Sequence, residues 1–241
     1  MYNNQYQGQD QYGYTPLDNG RSLVNTVSST MKRVYFKMTL ALVVTAFTAL
    51  FCSNSYEYMS FFINNSWFMW VLIIAEFGLV IGISSGINKL SSTLASALFY
   101  LFAIVNGMML CTIFLAYSPT AIVKTFFITA GTFGAMSVYG YFTSQDLSKI
   151  GSYLFMALIG LIIASLVNIF LHSSTLDWIV SIAGVLIFIG LTAWDTQQIK
   201  AMAQAAPQDS VSRLATIGAL SLYLDFINLF LYLLRIFGSR D

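Results

Sequence analysis

Seven stretches of this chain are long and apolar enough to cross a bilayer, and no other feature of the sequence restricts its fold so strongly. A helix needs about 20 apolar residues to traverse the hydrocarbon core. Such runs fall at approximately 34–53, 67–87, 94–117, 120–142, 150–172, 177–200 and 212–237, divided by turn or polar residues such as NNS, SPT and SQDLSK. The polar sequence between them is too short to form a soluble domain. Charge agrees with this reading: 9% of the residues are charged, where a soluble domain needs about 25%. The expected fold is all-α, a polytopic membrane protein of seven transmembrane helices over residues 31–238. A net charge of +1 leaves no footprint for nucleic acid.

Residues 1–30 are of another kind. The opening MYNNQYQGQDQYGYTPLDNG is rich in Gln, Asn, Tyr and Gly and has no apolar period, so it cannot bury enough surface to order itself. It is read as a flexible cytoplasmic tail. The first apolar run begins only after Arg33 and is too long for a signal-peptide core, so no removal is expected.

Basic residues set the orientation. Arg21, Lys32, Arg33 and Lys37 flank the first run; Lys89, Lys149, Lys200 and Arg213 lie in the second-to-third, fourth-to-fifth and sixth-to-seventh connections. The alternate connections hold no Lys or Arg. The amino terminus is therefore expected in the cytoplasm. The seventh run decides where the carboxyl terminus falls, because a re-entrant helix would return it to the cytoplasm. Lys124 and Arg235 sit near outer helix ends, where their stems can snorkel.

Three acids remain at membrane depth: Glu76, Asp195 and Asp225. An Asp at a helix centre costs of order 2.5 to 3.5 kcal/mol on insertion scales. Such a residue faces the bundle or a wet cavity, or carries a proton. The plain alternative is a neutral acid hydrogen-bonded between helices as glue. If the sixth helix runs on through Ala205, Asp195 lies ~15 Å inside it, and Asp225 lies ~20 Å in from the same side, at 1.5 Å per residue. The two helices are consecutive and antiparallel, so the carboxyls can meet. Two carboxyls in one dry site cannot both ionise cheaply, and such a pair can hold one proton near neutral pH. Protonated, it joins the helices; ionised, it repels or accepts a cation. Ca²⁺ prefers such hard oxygen ligands, but a full shell takes six to eight, so two acids make a transient stop and not a tight site.

The neighbours extend this seam. Ser221, Asp225, Asn228 and Tyr232 recur at spacings of three and four, which places them on one face. Asn106 and Asn168 are expected to make interhelical hydrogen bonds, and His172 to lie at an interface. In EFGLVIGISSG, Gly78, Gly82 and Gly86 fall four apart and predict a small-residue seam for close helix packing, with Glu76 some 200° away from it. Cys52 and Cys111 lie within apolar runs without metal or disulfide spacing, so each is expected to be a small buried hydrophobe.

No P-loop, HExxH or GxSxG is present, and the single histidine leaves no triad or metal cluster. The contexts AWDT and YLDF lack the Gly-x-Gly-Asp of membrane aspartyl proteases. An enzyme is not expected, nor a tightly bound cofactor.

LTAWDTQQIK and ALSLYLDFINLFLYLLRIFG closely resemble the signature of the Bax inhibitor-1 family, also called the transmembrane Bax inhibitor motif family. GSYLFMALIGLIIASLVNIF and AEFGLVIG resemble its bacterial members. The resemblance covers about residues 30 to 238. It implies seven helices with the last one central, wrapped by the other six, and a pH-sensitive calcium leak sensed by an aspartate pair that matches Asp195 and Asp225. The family's acid on the second helix matches Glu76. Some bacterial relatives place an Arg near the end of that helix as a latch; here the stretch is GINKL, with Ile87, Asn88 and only Lys89, a point charge without the planar fork of Arg. The resemblance favours more leak in acid.

Two functions of different class follow. The first is a passive, proton-modulated ion channel for Ca²⁺, gated by Asp195 and Asp225, with Glu76, Asn228 and Lys89 as accessory polar residues. The second, suggested by bacterial relatives, is an interaction protein that modulates a membrane-anchored ATP-dependent protease or a stress response through its tail, without transport.

Overall fold

The structure, a computed structural model, describes residues 16–87, 89–207 and 210–238. Among these the chain is all helix: α1 Pro16–Asn54, α2 Tyr56–Asn64, α3 Ser66–Gly86, α4 Ser92–Leu110, α5 Ile113–Ala116, α6 Pro119–Phe142, α7 Ser148–Leu171, α8 Ser174–Ala205 and α9 Val211–Phe237. Seven spans are long and apolar enough to cross a membrane, with α4 and α5 forming one of them, broken at Cys111–Thr112. The turn residues act as helix starts. Ser91, Ser118 and Ser173 each accept a bond from the backbone N–H three residues on, satisfying one of the orphan donors of a first turn. Pro119 follows Ser118 at the first helical position, where its missing N–H costs nothing.

α9 is the axis of the molecule. It packs on α8, α1, α6 and α4, and Leu222, Tyr223 and Leu229 are wholly buried. It runs unbroken for 27 residues, ~40 Å at 1.5 Å per residue, which is the length of a full crossing and not of a re-entrant turn. α3 and α7 form an outer layer, packed chiefly on α4 and α8 respectively. The wrapping of α9 is thus mainly by four helices, with two standing outside them. Large apolar side chains such as Phe51 and Phe170 point outward, as a lipid-facing surface requires.

Three expectations are corrected. The helix α1 begins at Pro16, so residues 16–30 are not tail; residues 1–15 lie outside the described residues. Val27, Thr30, Met31, Val34, Met38 and Ala41 are buried at a spacing of three and four. The stretch SSTMKR conceals this helical period because its hydroxyls look like loop. Yet Ser29 and Thr30 both donate to the Thr26 carbonyl, at 3.0 and 2.8 Å, so the helix itself absorbs their polarity. The connection at 54–66, expected only as a turn or polar break between spans, contains α2, whose Tyr58, Phe61 and Phe62 meet Trp67 and Phe68 edge to face, an interfacial aromatic group. Finally, the glycine seam of α3 packs on no other helix. Space beside Gly78 and Gly82 is open, and Gly86 meets only Leu90. The face about a quarter-turn round, with Leu72 and Ile83 buried, is the one that takes α4.

Candidate functional site

The geometry of α8 against α9 fixes where the aspartates stand. Gly184 receives the ring of Tyr232, and Gly218 receives Ile199; a methyl group at either position would come within 2.6 and 3.1 Å of those side chains. Glycine is required at Gly184 by this close approach. The two contacts set the register. Asp225 is level with Leu191 and Thr192, and Asp195 is level with Ser221 and Leu222. The carboxyls are offset by about one turn, ~5–6 Å along the axis.

Their surroundings differ. Asp225 is 5% exposed, and its Oδ2 is buried with no hydrogen-bond partner. Asp195 is half-buried. The hydroxyls flanking it, Thr192 and Thr196, donate to carbonyls of their own helix, at 2.7 and 2.8 Å, and so are spent. A buried polar atom without a partner is the exception in folded proteins and asks for a reason. Asp225 sits on the most buried helix, beside a second acid, with one oxygen unmatched. Such an arrangement suits the exchange of a proton or a brief contact with a cation. Among the described residues no three His, Cys, Asp or Glu side chains cluster, so the pair supplies two carboxylates and no closed cage.

The rest of DTQQIK is structural. Gln197 donates to the Gln145 carbonyl at 2.8 Å and accepts from the Leu147 N–H at 2.9 Å. Lys200 donates to the Tyr141 carbonyl at 2.6 Å and lies 4.8 Å from the centre of the Tyr141 ring. The motif therefore ties α8 to the α6–α7 connection through Gln197 and to the last turn of α6 through Lys200, while Asp195 is half-buried beside them.

Of the other expected residues, Tyr232 faces α8, stacked on Phe188 at 5.9 Å. Asn228 is half-buried and donates to the Leu224 carbonyl of its own helix at 2.8 Å. Lys89 is exposed and makes no ion pair among the described residues; its neighbour Asn88 lies outside them. His172 caps α7 in the left-handed region with φ 50°, exposed at the end of the bundle. Cys52 and Cys111 are free and buried.

Glu76 belongs to a different constellation. Asn106 Nδ2 donates to Glu76 Oε1 at 2.8 Å, and the Tyr223 hydroxyl donates to Asn106 Oδ1 at 3.1 Å. The Thr45 hydroxyl lies 2.6 Å from that of Tyr223 and 2.9 Å from the Ala103 carbonyl, and with the Tyr223 proton on Asn106 its own proton is the one that can bridge to Tyr223. This chain joins α3, α4, α9 and α1. The Tyr223 ring is held edge to face by Phe99 and Phe102, centroids 5.8 and 5.6 Å away. Sequence reasoning singled out Asn106 and Glu76 but not Thr45 or Tyr223. A tyrosine inside a leucine-rich span was the available signal, since its hydroxyl must find a partner there. Lys37 was also placed only as a flank. It is half-buried and donates to Ser96 and Thr216, both at 2.7 Å, while Ser92 and Ser212 bond each other beside it. At the other end Arg235 pairs with Asp177 at 3.5 Å, both largely exposed.

Fold and site together define a polytopic helical membrane protein built round a central helix that carries a buried acid. The family model described as "Inhibitor of apoptosis-promoting Bax1" matches residues 27–241. The inner membrane protein YbhL of Escherichia coli (strain K12) is 49% identical over 213 residues, covering 87% of this chain and 91% of that protein. A protein of Borreliella burgdorferi is 48% identical over 212 residues, with coverage of 87% and 91%. Protein RP147 of Rickettsia prowazekii is 44% identical over 211 residues, with coverage of 87% and 89%. The chain belongs to the Bax inhibitor-1 family.

Proposed function

We propose that this protein is a passive cation leak, with Ca²⁺ as the transported ion and the Asp195–Asp225 pair as its proton-sensitive gate. The observation that carries the reading is the unpartnered Oδ2 of Asp225, buried on the central helix with Asp195 offset by one turn in the register of α8 on α9. With one proton on the pair, a bond can form between α8 and α9. With none, two like charges repel in a medium where water cannot screen them, and an arriving cation relieves that repulsion. Lys89 is too exposed to serve as a fixed counter-charge, so in this reading the pH response belongs to the pair itself. The basic residues at the α1 end support a cytoplasmic position for that end, in an inner membrane like that in the name of the Escherichia coli relative.

The test is Ca²⁺ entry into liposomes holding the purified protein, from pH 6 to 8, for wild type and Asp195→Asn. Flux above empty liposomes that varies with pH, and loses that variation in the variant, is the expected result. Absence of flux from folded wild type at every pH would remove the leak. The interaction with a membrane-anchored ATP-dependent protease would then stand first, and deletion of the amino-terminal residues would be its test.

A further inference from the structure

α1 and α6 both pack on α9 and α8 but hardly on each other. Between them lies a cleft of about 770 Å³, open at the side, with Phe226 of α9 among its lining residues. A second cavity of about 390 Å³ shares Leu42, Phe126 and Phe226 with it and continues toward Pro119, so the two make one lateral groove along the bundle. The larger part is apolar except near one end, where Lys32, Tyr35 and Ser137 line it.

We propose that this groove is a binding site for an anionic phospholipid, its headgroup at Lys32 and Ser137 and an acyl chain running along α1 to Leu42 and Phe226. Three observations support that occupant. The charge is complementary, because Lys32 is the one charged side chain among the residues lining the larger cavity and no carboxylate is among them. The Ser137 hydroxyl, 5% exposed, has no hydrogen-bond partner and belongs to a residue lining the cleft, so a turn of its side chain toward the cleft would let it donate to a phosphate or ester oxygen. The length also matches: Lys32 to Leu42 spans ~15 Å of helix, half of a hydrocarbon core of about 30 Å. Phe226 is adjacent to Asp225 in the chain, so the acyl chain rests against the central helix where the candidate gate lies.

The test uses the full chain in detergent, with phosphatidylglycerol or phosphatidylcholine added and bound lipid counted by native mass spectrometry. Wild type is expected to prefer phosphatidylglycerol about fivefold, the size of one basic residue's attraction to anionic lipid. Lys32→Gln should erase that preference while retaining phosphatidylcholine. Gly134→Leu should expel both lipids, and the space beside Gly134 is open enough to take the new side chain. Should that variant misfold, the Lys32→Gln ratio still decides. Equal binding of the two lipids by wild type overturns the proposal. So does lipid uptake that rises several-fold when residues 1–15 are removed, which would make the tail the occupant. A wild-type dimer that Gly134→Leu converts to monomer would overturn it too, by giving the groove to a second copy.

Discussion

Tyr223 and Asp225 are two residues apart on α9, and ~200° round the helix from each other, so one sequence segment serves two opposite neighbourhoods. On the Tyr223 side, facing α1 and α4, each polar group named has a partner: Glu76, Asn106, Tyr223 and Thr45 run hand to hand across four helices. On the Asp225 side, facing α8, a carboxylate oxygen is buried without one. A satisfied network in a low-dielectric interior holds helices in one arrangement, and an unsatisfied group there is costly enough to need a use. On the function proposed above, the first face holds the helices together and the second carries the gate.

The largest way to break the first face is Tyr223→Ala. It removes a wholly buried ring together with the link between Asn106 and Thr45, and should cost ~3–5 kcal/mol in reversible detergent unfolding. Tyr223→Phe keeps the ring and removes only the hydroxyl; a loss of ~1 kcal/mol is expected, with the pH profile of the leak unmoved. Asp225→Asn inverts that pattern. It takes away a costly buried acid and leaves a side chain of the same shape, so stability should shift by less than ~1 kcal/mol while the response between pH 6 and 8 flattens. Lys89→Ala should be smallest of all, within ~0.5 kcal/mol and with the flux midpoint unchanged, since the ammonium is exposed and unpaired; a shifted midpoint would restore a latch.

Much of the bundle was legible because apolar run length and turn residues are local signals. The SPT turn is a serine cap with proline at the first helical position, and SQDLSK marks the α6–α7 connection that Gln197 ties down. The start of α1 was hidden, since Ser29 and Thr30 read as polar although their hydroxyls are satisfied within the helix. The glycines of α3 misled for the opposite reason: spacing says that helices can approach there, not that one does. For the site, helix counting brought Asp195 and Asp225 to similar depth, and only the fit of Tyr232 on Gly184 and Ile199 on Gly218 sets the one-turn offset. The Tyr223 network escaped because its members lie on four different helices, and no periodicity in one of them points to the others.

The most direct test of the division between the two faces is a paired measurement on Tyr223→Phe and Asp225→Asn. Each variant would be unfolded in detergent and, in parallel, assayed in liposomes for Ca²⁺ flux from pH 6 to 8. The account predicts a less stable Tyr223→Phe that keeps the wild-type pH profile, and a stable Asp225→Asn that loses it. A folded Asp225→Asn with the wild-type profile, or a Tyr223→Phe that flattens it, would contradict the assignment.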